Sequence, residues 1–245
     1  MTILFLILGA SLGSFLGVII DNKFKVPSLK QRSKCKSCQK TIGLLSLIPI
    51  LSFLIQRGKC RMCPSQIPRY LFALELANLF LFGLVLSWQY TLAPSLILFA
   101  FVSLNLLMGI FDYKNLSIKN SYLILNFLIC LALAISLSIP MLHMVYGAII
   151  GFSLFLFLWI ITKTKGVGIG DAYILGAYGI VLGPGLTILN FFLAYWLAAI
   201  HLGLILIFKG KAKLPKAFGL IPYLSLGFLL SLKYGKFLTS LILYS

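Results

Sequence analysis

The stretch TILFLILGASLGSFLGVII, residues 2–20, contains no charged side chain. It is long enough to cross the hydrocarbon core of a bilayer as one helix, which takes about 20 residues. No basic segment precedes it and no small-residue cleavage site follows it. We therefore expect a retained transmembrane helix and not a removed signal peptide. Similar apolar runs recur along the chain, and this pattern, which begins with residues 2–20, decides the fold class.

The whole chain shares this apolar character. It is 61% hydrophobic and 10% charged, whereas a soluble domain carries about 25% charged residues. We predict an all-α polytopic membrane protein that sits in the lipid bilayer. Apolar windows indicate about eight transmembrane helices. They cover residues 2–20, 70–88, 92–111, 121–139, 142–162, 172–189, 190–208 and 218–239.

The charged residues are unevenly placed along the chain. The formal charge is +17, with 21 Lys and Arg against four acidic residues: Asp21, Glu75, Asp112 and Asp171. The positive charge falls in blocks between apolar runs, which is typical of topology signals facing anionic lipid and argues against a nucleic-acid partner. The positive-inside rule puts the N-terminus outside and four basic segments in the cytosol. These segments are 21–69, 112–120, 163–171 and 209–217, and the segments between spans that hold no Lys or Arg lie near 89–91, 140–144 and 183–185.

The first basic segment contains two Cys-x-x-Cys pairs, CKSC and CRMC. The candidate metal ligands are Cys35, Cys38, Cys60 and Cys63. Two such pairs match a tetrahedral four-thiolate zinc site, and the reducing cytosol argues against disulfides. We predict structural zinc, with a redox pair or free thiols as the alternatives. The fifth cysteine, Cys130, lies in a predicted span and is interpreted as a small buried apolar residue.

Between the two pairs lies IGLLSLIPILSFLIQ, residues 42–56. This run is short for a span and has basic segments on both sides, so we predict an interfacial or re-entrant segment. A genuine span here would invert the topology of everything downstream. The predicted organisation is a first transmembrane helix at 1–20, a cytosolic zinc-binding loop at 21–69 and a transmembrane core at 70–245.

Two of the four acidic residues lie at matching depth in this topology. Asp112 ends the third predicted span, and Asp171, in GVGIGDAYILG, begins the sixth. Taken singly, Asp112 could be a solvated loop residue and Asp171 a helix N-cap. On neighbouring helices, the two carboxyls could share one proton, so that one activates water while the other polarises a scissile carbonyl. This is aspartyl peptide hydrolysis. The preceding glycines would let an extended peptide approach: Gly166, Gly168 and Gly170.

Four motifs, in this order, resemble the type IV prepilin peptidase family. GASLGSFLGVII (9–20) resembles the family's opening motif, and the cysteine pairs with their spacer resemble its cytosolic loop. GIGD (168–171) matches the Gly-x-Gly-Asp motif shared with intramembrane aspartyl proteases. AFGLIPYLSLG (217–227) resembles a Phe-Gly-x-x-Pro segment that opens the family's last helix. The resemblance covers nearly the whole chain.

The resemblance implies a function and its site. Asp112 and Asp171 would be the catalytic pair, in a bacterial inner or plasma membrane. The substrate would be a prepilin or pilin-like protein, cut after a Gly that follows a short basic leader at the cytosolic face. Many members also methylate the new N-terminal amine, with S-adenosylmethionine as cofactor, in an activity associated with the first cytosolic loop. Glu75 matches an acidic position of the family, and its ordinary interpretation is a partner for a nearby Lys or Arg.

Three positions depart from the family's pattern. Gly17 stands where many members have Asn, Tyr173 stands where Lys is common, and residues 117–119 read Ser-Ile-Lys where Ile-Pro is frequent. These departures bear on specificity and methylation more than on the aspartates. Two histidines, His143 and His201, are interpreted as structural, because a lone intramembrane His usually bonds a neighbouring helix.

Two other classes of function stay open from the residues alone. A proton-coupled transporter would use the two membrane-boundary aspartates as proton relays and would favour an inverted repeat, which is not apparent in this sequence. A non-enzymatic membrane scaffold would bind a partner through the cysteine loop and would need neither aspartate.

Overall fold

The computed structural model describes residues 2–22, 33–35, 37–163, 168–210 and 218–243. These residues are mainly helical, and their only strand-like pairings are isolated bridges in the cysteine loop. This confirms the all-α prediction. The α-helices are α1 Thr2–Asp21, α2 Leu51–Ile55, α3 Arg69–Leu86, α4 Leu92–Asn115, α5 Asn120–Ser136, α6 Met141–Ile161, α7 Ile169–Lys209 and α8 Ile221–Leu243, with a 3-10 helix at Leu44–Leu47.

Among the described residues, five helices are long and apolar enough to cross a membrane, and α5 is a shorter apolar helix. The five are α1, α3, α4, α6 and the stretch Ile169–Phe208 of α7. Their length and composition confirm a multi-pass membrane protein. Most predicted spans begin and end within a few residues of these helices. The exceptions are α4, which extends past residue 111 to Asn115, and α7 with its neighbour α8.

Helix α7 is two helical arms joined at a break. Gly183 has φ 71° and ψ 179°, which is not helical, and Pro184 follows it. Glycine adopts positive φ readily, and proline has no N–H to continue the helical ladder. The predicted boundary between residues 189 and 190 is therefore wrong, because the chain turns at Gly183. The turn lies in residues 183–185, which the charge pattern predicts as an uncharged segment between spans.

Contacts with α6 show that the two arms, residues 169–182 and 184–209, lie side by side. A Cβ on Gly151 of α6 would lie 2.4 Å from the carbonyl oxygen of Leu175 in the first arm. One turn further along α6, the Phe155 ring packs against Phe191 of the second arm, with ring centroids 5.3 Å apart. Residues 175 and 191 would be about 24 Å apart in an unbroken helix. The two arms, with α1, α3–α6 and α8, therefore correspond to the eight predicted spans.

The chain divides into two compact units, Met1–Tyr90 and Thr91–Ser245. In the first unit, α1 and α3 approach each other at glycines. A Cβ on Gly13 would lie 2.7 Å from the Cα of Glu75, and the Asn78 amide donates a hydrogen bond of 2.8 Å to the Gly9 carbonyl. Small residues and interhelical hydrogen bonds are the usual means of holding helices together in lipid. The division at residues 20 and 69 stays a prediction.

Residues 42–56 contain the 3-10 helix and α2, neither of which is long enough to cross a bilayer. A genuine span is therefore excluded, and the order of sides stays a prediction. The Ile50 N–H donates a 2.6 Å hydrogen bond to the Glu75 carboxylate on α3. The Phe53 ring stacks on Phe72, also on α3, with centroids 4.7 Å apart. These contacts dock the segment on α3, and its interfacial or re-entrant position in the membrane stays a prediction.

In the second unit, the backbones of α6 and the first arm of α7 are in direct contact. A Cβ on Gly147 would lie 2.0 Å from the Gly179 carbonyl oxygen, so only glycine fits there. Cys130, on α5, is fully buried, as predicted for a small apolar residue. This packing brings the first arm of α7, with its aspartate, into the interior of the unit.

Candidate functional site

Asp112 lies in the last turns of α4 and is 6% exposed. Its carboxylate accepts hydrogen bonds from the backbone N–H groups of Leu220 and Ile221, and the Ile221 nitrogen is 3.3 Å from Oδ2. Ile221 is the first residue of α8. A helix N-terminus presents unpaired N–H groups and a partial positive charge, so it stabilises an anion. The interpretation of Asp112 as a solvated loop residue is therefore wrong.

Gly219 has no side chain, and the Asp112 carboxylate occupies the space where a side chain would lie. A Cβ on Gly219 would lie 2.2 Å from Oδ2 of Asp112 and 2.6 Å from its Cγ. A side chain at this position would push the carboxylate away from the α8 N–H groups. The segment before α8 therefore determines where the Asp112 carboxylate sits.

Asp171 lies in the first turn of α7, whose N-cap is Gly168. The Asp171 N–H donates to the Gly168 carbonyl at 3.1 Å, and the Gly168 N–H donates to the Asp171 carboxylate. This is the return half of a capping box, so Asp171 is not the N-cap residue itself. Its carboxylate is half-buried at the end of the arm.

The two aspartates belong to the same unit, and their carboxyl groups lie within range of direct electrostatic interaction. Two carboxyls that interact in this way oppose each other's ionisation, and a pair that holds one proton between its members is the state that the sequence predicts. A pair in this state contains a base and an acid at once, which is the requirement for attack of water on a carbonyl. Tyr195, on the second arm of α7, also interacts with Asp171.

The glycines before Asp171 differ in what surrounds them. Gly168 is exposed, so the backbone beside the Asp171 carboxylate is open. Gly170 faces Ile118, whose Cδ1 would lie 2.9 Å from a Cβ added there. Gly166 lies outside the described residues. That these glycines admit a peptide backbone stays a prediction.

The four cysteines predicted as ligands come together in the first unit. All four Sγ atoms lie within 4.8 Å of one another, and each cysteine is half-buried. Each pair sits in a turn closed by an isolated bridge, Lys34 with Thr41 and Lys59 with Gln66. The Sγ atoms of Cys35 and Cys63 are 3.8 Å apart, and two thiolates on a tetrahedral zinc at 2.3 Å would be about 3.8 Å apart. This donor set and its spacing fit a metal site.

Hydrogen bonds favour the thiolate form of two of these cysteines. Backbone N–H groups of Cys38 and Ser37, with the Ser65 hydroxyl, lower the pKa of Cys35 to about 6. The Ser65 hydroxyl, whose oxygen lies 2.8 Å from Cys63 Sγ, likewise lowers the pKa of Cys63. The Lys40 N–H lowers the pKa of Cys38, but burial and its two sulfur neighbours outweigh this and raise it to about 11. A metal ligated by all four would have to displace the proton that Cys38 retains.

Comparison with known proteins identifies the family. A model described as Bacterial Peptidase A24 N-terminal domain matches residues 7–90, and one described as Type IV leader peptidase family matches residues 98–204. A prepilin leader peptidase/N-methyltransferase of Bacillus subtilis (strain 168) is 32% identical over 249 residues, covering 98% of this chain and 96% of that protein. The chain belongs to the type IV leader peptidase family.

Relatives in this family come from several other bacteria. Proteins with the same printed name from Neisseria gonorrhoeae and Vibrio cholerae are 31% and 27% identical. The first alignment covers 72% of each chain, and the second covers 81% of this chain and 84% of the relative. No solved structure gives a significant match. These family members give no support to the proton-coupled transporter.

The segment matched by the N-terminal domain model, residues 7–90, contains a cavity of about 1520 Å³. Both acidic residues outside the aspartate pair line it, Asp21 from the end of α1 and Glu75 from α3. The Tyr70 hydroxyl donates to Asp21, and Glu75 accepts from the Ile50 N–H. Glu75 therefore has a backbone partner, where the sequence indicated a Lys or Arg. The cavity is large enough for a cofactor-sized ligand.

Positions that depart from the family's pattern have ordinary packing roles. The Tyr173 ring is 53% exposed and lies 5.4 Å from the Phe152 ring of α6. A Cβ on Gly17 would meet only the end of the Leu71 side chain, at 2.5 Å. His201, as predicted, bonds a neighbouring helix, with Nδ1 2.5 Å from the Tyr223 hydroxyl on α8.

Sequence reasoning missed the residues that hold Asp112 in place. AFGLIPYLSLG was recognised as a motif, but nothing in it indicates that Gly219 faces a carboxylate on α4. A glycine followed by the first residues of a helix is compatible with an anion site. Knowing which anion it holds requires the packing of α4 on α8. Tyr195 carried no sequence signal, because its approach to Asp171 depends on the turn at Gly183.

Proposed function

We propose that this chain is a membrane aspartyl endopeptidase that removes the short basic leader of prepilins or pilin-like proteins at the cytosolic face of a bacterial cell membrane. Asp112 and Asp171 form the catalytic pair. The observation that carries the proposal is that two of the chain's four acidic residues interact electrostatically within one compact unit. The names of the relatives support the substrate class.

The reaction follows from a carboxyl pair that holds one proton. The ionised carboxyl takes a proton from water as the oxygen attacks the scissile carbonyl carbon, and the protonated carboxyl donates its proton to the carbonyl oxygen. The tetrahedral intermediate collapses as the C–N bond breaks. The protonated carboxyl gives its proton to the leaving amine, and the other carboxylate takes one from a hydroxyl of the intermediate, which restores the single shared proton. The N–H groups at the start of α8 hold the Asp112 carboxylate in place for these steps.

Orientation supports cleavage on the cytosolic side. The basic segments that follow α1, α4, α6 and α7 all lie on the same side of the predicted topology, which the positive-inside rule assigns to the cytosol with the N-terminus outside. Asp112, near the end of α4, and Asp171, at the start of α7, would then both face the cytosolic boundary. A basic leader still in the cytosol would reach them there.

We propose that Cys35, Cys38, Cys60 and Cys63 hold one structural zinc ion. The sulfur spacing and the lowered pKa values of Cys35 and Cys63 support this ligand set. When bound, the ion cross-links the two turns of the loop. The residues around it do not resemble a catalytic zinc site, because four protein ligands leave no position for water.

We further propose that the protein methylates the new N-terminal amine with S-adenosylmethionine. The printed names of the relatives include N-methyltransferase, and the cavity of the first unit supports it. The Asp21 and Glu75 carboxylates would face a cationic sulfonium favourably. Mass spectrometry of the processed pilin tests this: a gain of one methyl group on the N-terminal residue is expected, and an unmodified terminus would contradict it.

Co-expression with a prepilin tests the peptidase proposal. The wild type should shorten the prepilin by the length of its leader, while Asp112→Asn and Asp171→Asn should leave it uncut although both proteins reach the membrane. Tyr146→Phe, an exposed change on α6, is the control and should cut normally. Full cleavage by either aspartate variant would overturn the assignment.

A further inference from the structure

Four buried or half-buried polar side chains meet in the apolar interior of the second unit: Asn105 on α4, Asn126 on α5, Tyr178 on the first arm of α7 and Ser225 on α8. We call this cluster the polar tie. The Tyr178 hydroxyl donates to Asn105 Oδ1 at 2.5 Å, and Asn105 Nδ2 donates to Asn126 Oδ1 at 3.1 Å. The Ser225 oxygen lies 3.2 Å from Asn105 Oδ1 and 3.0 Å from the Tyr178 oxygen. The single Ser225 hydroxyl hydrogen is shared with the Ile221 carbonyl of its own helix, 2.8 Å away.

Asn105 is the centre of the polar tie. Its oxygen accepts from the Tyr178 hydroxyl on α7 and is in polar contact with the Ser225 hydroxyl on α8. Its nitrogen donates to Asn126 on α5 and to the Phe101 carbonyl on α4, the latter at 2.9 Å. A primary amide has two donor hydrogens and two acceptor positions. One buried side chain, 3% exposed, therefore links four helices.

The position of the polar tie relative to the aspartates is regular. Asn105 precedes Asp112 by seven residues, Tyr178 follows Asp171 by seven, and Ser225 follows Ile221 by four. Seven residues are two turns of a helix, so on α4 and α7 the tie lies on the same face as the aspartate and about 10 Å further along the axis. On α8 it lies one turn, about 6 Å, beyond Ile221. The three helices that supply the carboxyls and the N–H donors are thus in polar contact one to two turns from the aspartates.

An aromatic layer supports the tie on its other side. The rings of Phe101, Tyr178 and Phe228 pack together. The ring centroids are 5.4 Å apart for Phe101 and Tyr178, 4.8 Å for Tyr178 and Phe228, and 4.5 Å for Phe101 and Phe228. These residues come from α4, α7 and α8, the same three helices. Aromatic packing resists separation of helices but permits sliding, whereas hydrogen bonds between fixed atoms define the register along the axis.

We propose that the polar tie is a positioning device for the catalytic pair, with Asn105 and Tyr178 as positioning residues that set the register of α4, α7 and α8 and hence the approach of Asp112 to Asp171. The inference rests on the proposed function. A shift of one helix by about 1 Å can cost a hundredfold in rate when it misplaces reacting groups. Asn105 and Tyr178 lie two turns from the two aspartates, so they would act on the reaction through the positions of Asp112 and Asp171.

Tyr178→Phe is the sharpest test, because it removes one hydroxyl and keeps the aromatic packing. In vesicles of phosphatidylethanolamine and phosphatidylglycerol with a prepilin substrate, we expect kcat to fall about tenfold and KM to stay within twofold. Ser225→Ala should give a smaller loss. The double variant should lose less than the product of the two, because both changes break one network. Tyr146→Phe controls for loss of a tyrosine hydroxyl.

The pH–rate profile separates positioning from loss of folded protein. A smaller folded fraction scales the whole profile down without changing its shape. When two carboxyls move apart, their two apparent pKa values come closer together. The pH range over which Tyr178→Phe is active should therefore be narrower than that of the wild type. Other titratable or charged groups near the pair also affect the profile. They are Tyr195, which interacts with Asp171, and Tyr113 and Lys114, which follow Asp112 on α4. All three are the same in every variant compared.

Asp171→Asn, measured in the same vesicles, distinguishes the two claims. If Asp171→Asn is inactive while Tyr178→Phe keeps a wild-type rate, the inference about the polar tie is overturned and the peptidase assignment stands. A lower rate with an unchanged profile shape would also overturn it, since that is a purely structural effect. If Asp171→Asn is fully active, both claims fail.

Discussion

The cysteine cluster and the aspartate pair are built in opposite ways. Each half of the cysteine cluster is a short turn with its own backbone hydrogen bonds, such as that from the Cys60 N–H to the Ser65 carbonyl at 2.9 Å. The four sulfurs are half-buried and rich in hydrogen-bond donors. The aspartate pair instead draws on α4, α7 and α8, and its geometry depends on packing along these helices.

This difference predicts different failures. A cluster of local turns should lose its geometry when a ligand or the metal is removed and regain it when the metal returns. A site held by helix packing should tolerate no intrusion, since close-packed interiors transmit small displacements. The predictions that follow test this contrast, starting with the largest effect.

Gly219→Ala should disable the aspartate site without unfolding the protein. The added Cβ would meet the Asp112 carboxylate at 2.2 Å, and displacement of a reacting group by about 1 Å can cost a hundredfold in rate. We expect cleavage to slow by about that factor. Gly203→Ala, in the second arm of α7 where nothing lies within 4 Å, is the matched control. Equal rates for the two variants would contradict the role given to Gly219.

Cys60→Ser should abolish metal binding. Elemental analysis of the purified wild type should find about one zinc per chain, and the variant should retain almost none. Without the cross-link, trypsin should cut the loop at Arg57 or Arg61 more rapidly. Cys130→Ser is the control, because this buried cysteine on α5 lies outside the cluster. Zinc at the wild-type level in Cys60→Ser would show that the cluster is not the metal site.

Removal of the metal should expose an ordered reactivity among the thiols. The thiolate is the reactive form, and the pKa of Cys35 is lowered to about 6 while that of Cys38 is raised to about 11. After chelation, iodoacetamide at neutral pH should alkylate Cys35 before Cys38. The Cys35 rate should fall as the pH drops through about 6, because the thiolate is then protonated. Peptide mapping of the labelled protein measures this, and equal labelling of both residues would contradict the hydrogen-bond pattern.

Glu75→Ala should give the smallest effect, a local one. The Glu75 carboxylate accepts the Ile50 N–H at 2.6 Å, and Ile50 has φ 63°, which is rare for a β-branched residue. Loss of one such hydrogen bond costs about 1–3 kcal/mol. Hydrogen exchange of the Ile50 amide should therefore accelerate about tenfold or more. Glu75→Gln keeps an acceptor oxygen and should accelerate exchange less; if both variants exchange like the wild type, this contact does not hold the segment.

The same contrast explains how much could be predicted from the sequence. The cysteine cluster follows from the spacing of two Cys-x-x-Cys pairs, because each pair folds locally. Most helices follow from apolar windows, which respond to composition alone. The windows put the boundary between the sixth and seventh spans six residues too far along, whereas the charge pattern indicated an uncharged segment at 183–185, where the chain turns.

The candidate aspartate site was predicted only in part. Two acidic residues at matching depth in an acid-poor chain indicated the pair, and the family resemblance supplied its chemistry. Gly219 and the N–H groups of Leu220 and Ile221 could not be linked to Asp112 from the sequence, since the link runs between helices more than a hundred residues apart. The polar tie was missed for the same reason. Nothing in the sequence indicates that Asn105 and Tyr178 contact each other, because their contact depends on the packing of α4 against α7.

The most direct test of the central claim is whether Asp112 and Asp171 act as one unit. Initial rates of prepilin cleavage by purified protein in vesicles should be measured for Asp112→Asn, Asp171→Asn and the double variant, with zinc content as a check on folding. We expect the cleavage rate of each single variant to fall at least about a thousandfold. The double variant should be no slower than either single variant, because each carboxyl contributes only when the other is present. A single variant that keeps more than about a tenth of the wild-type rate, or losses that multiply in the double variant, would contradict it.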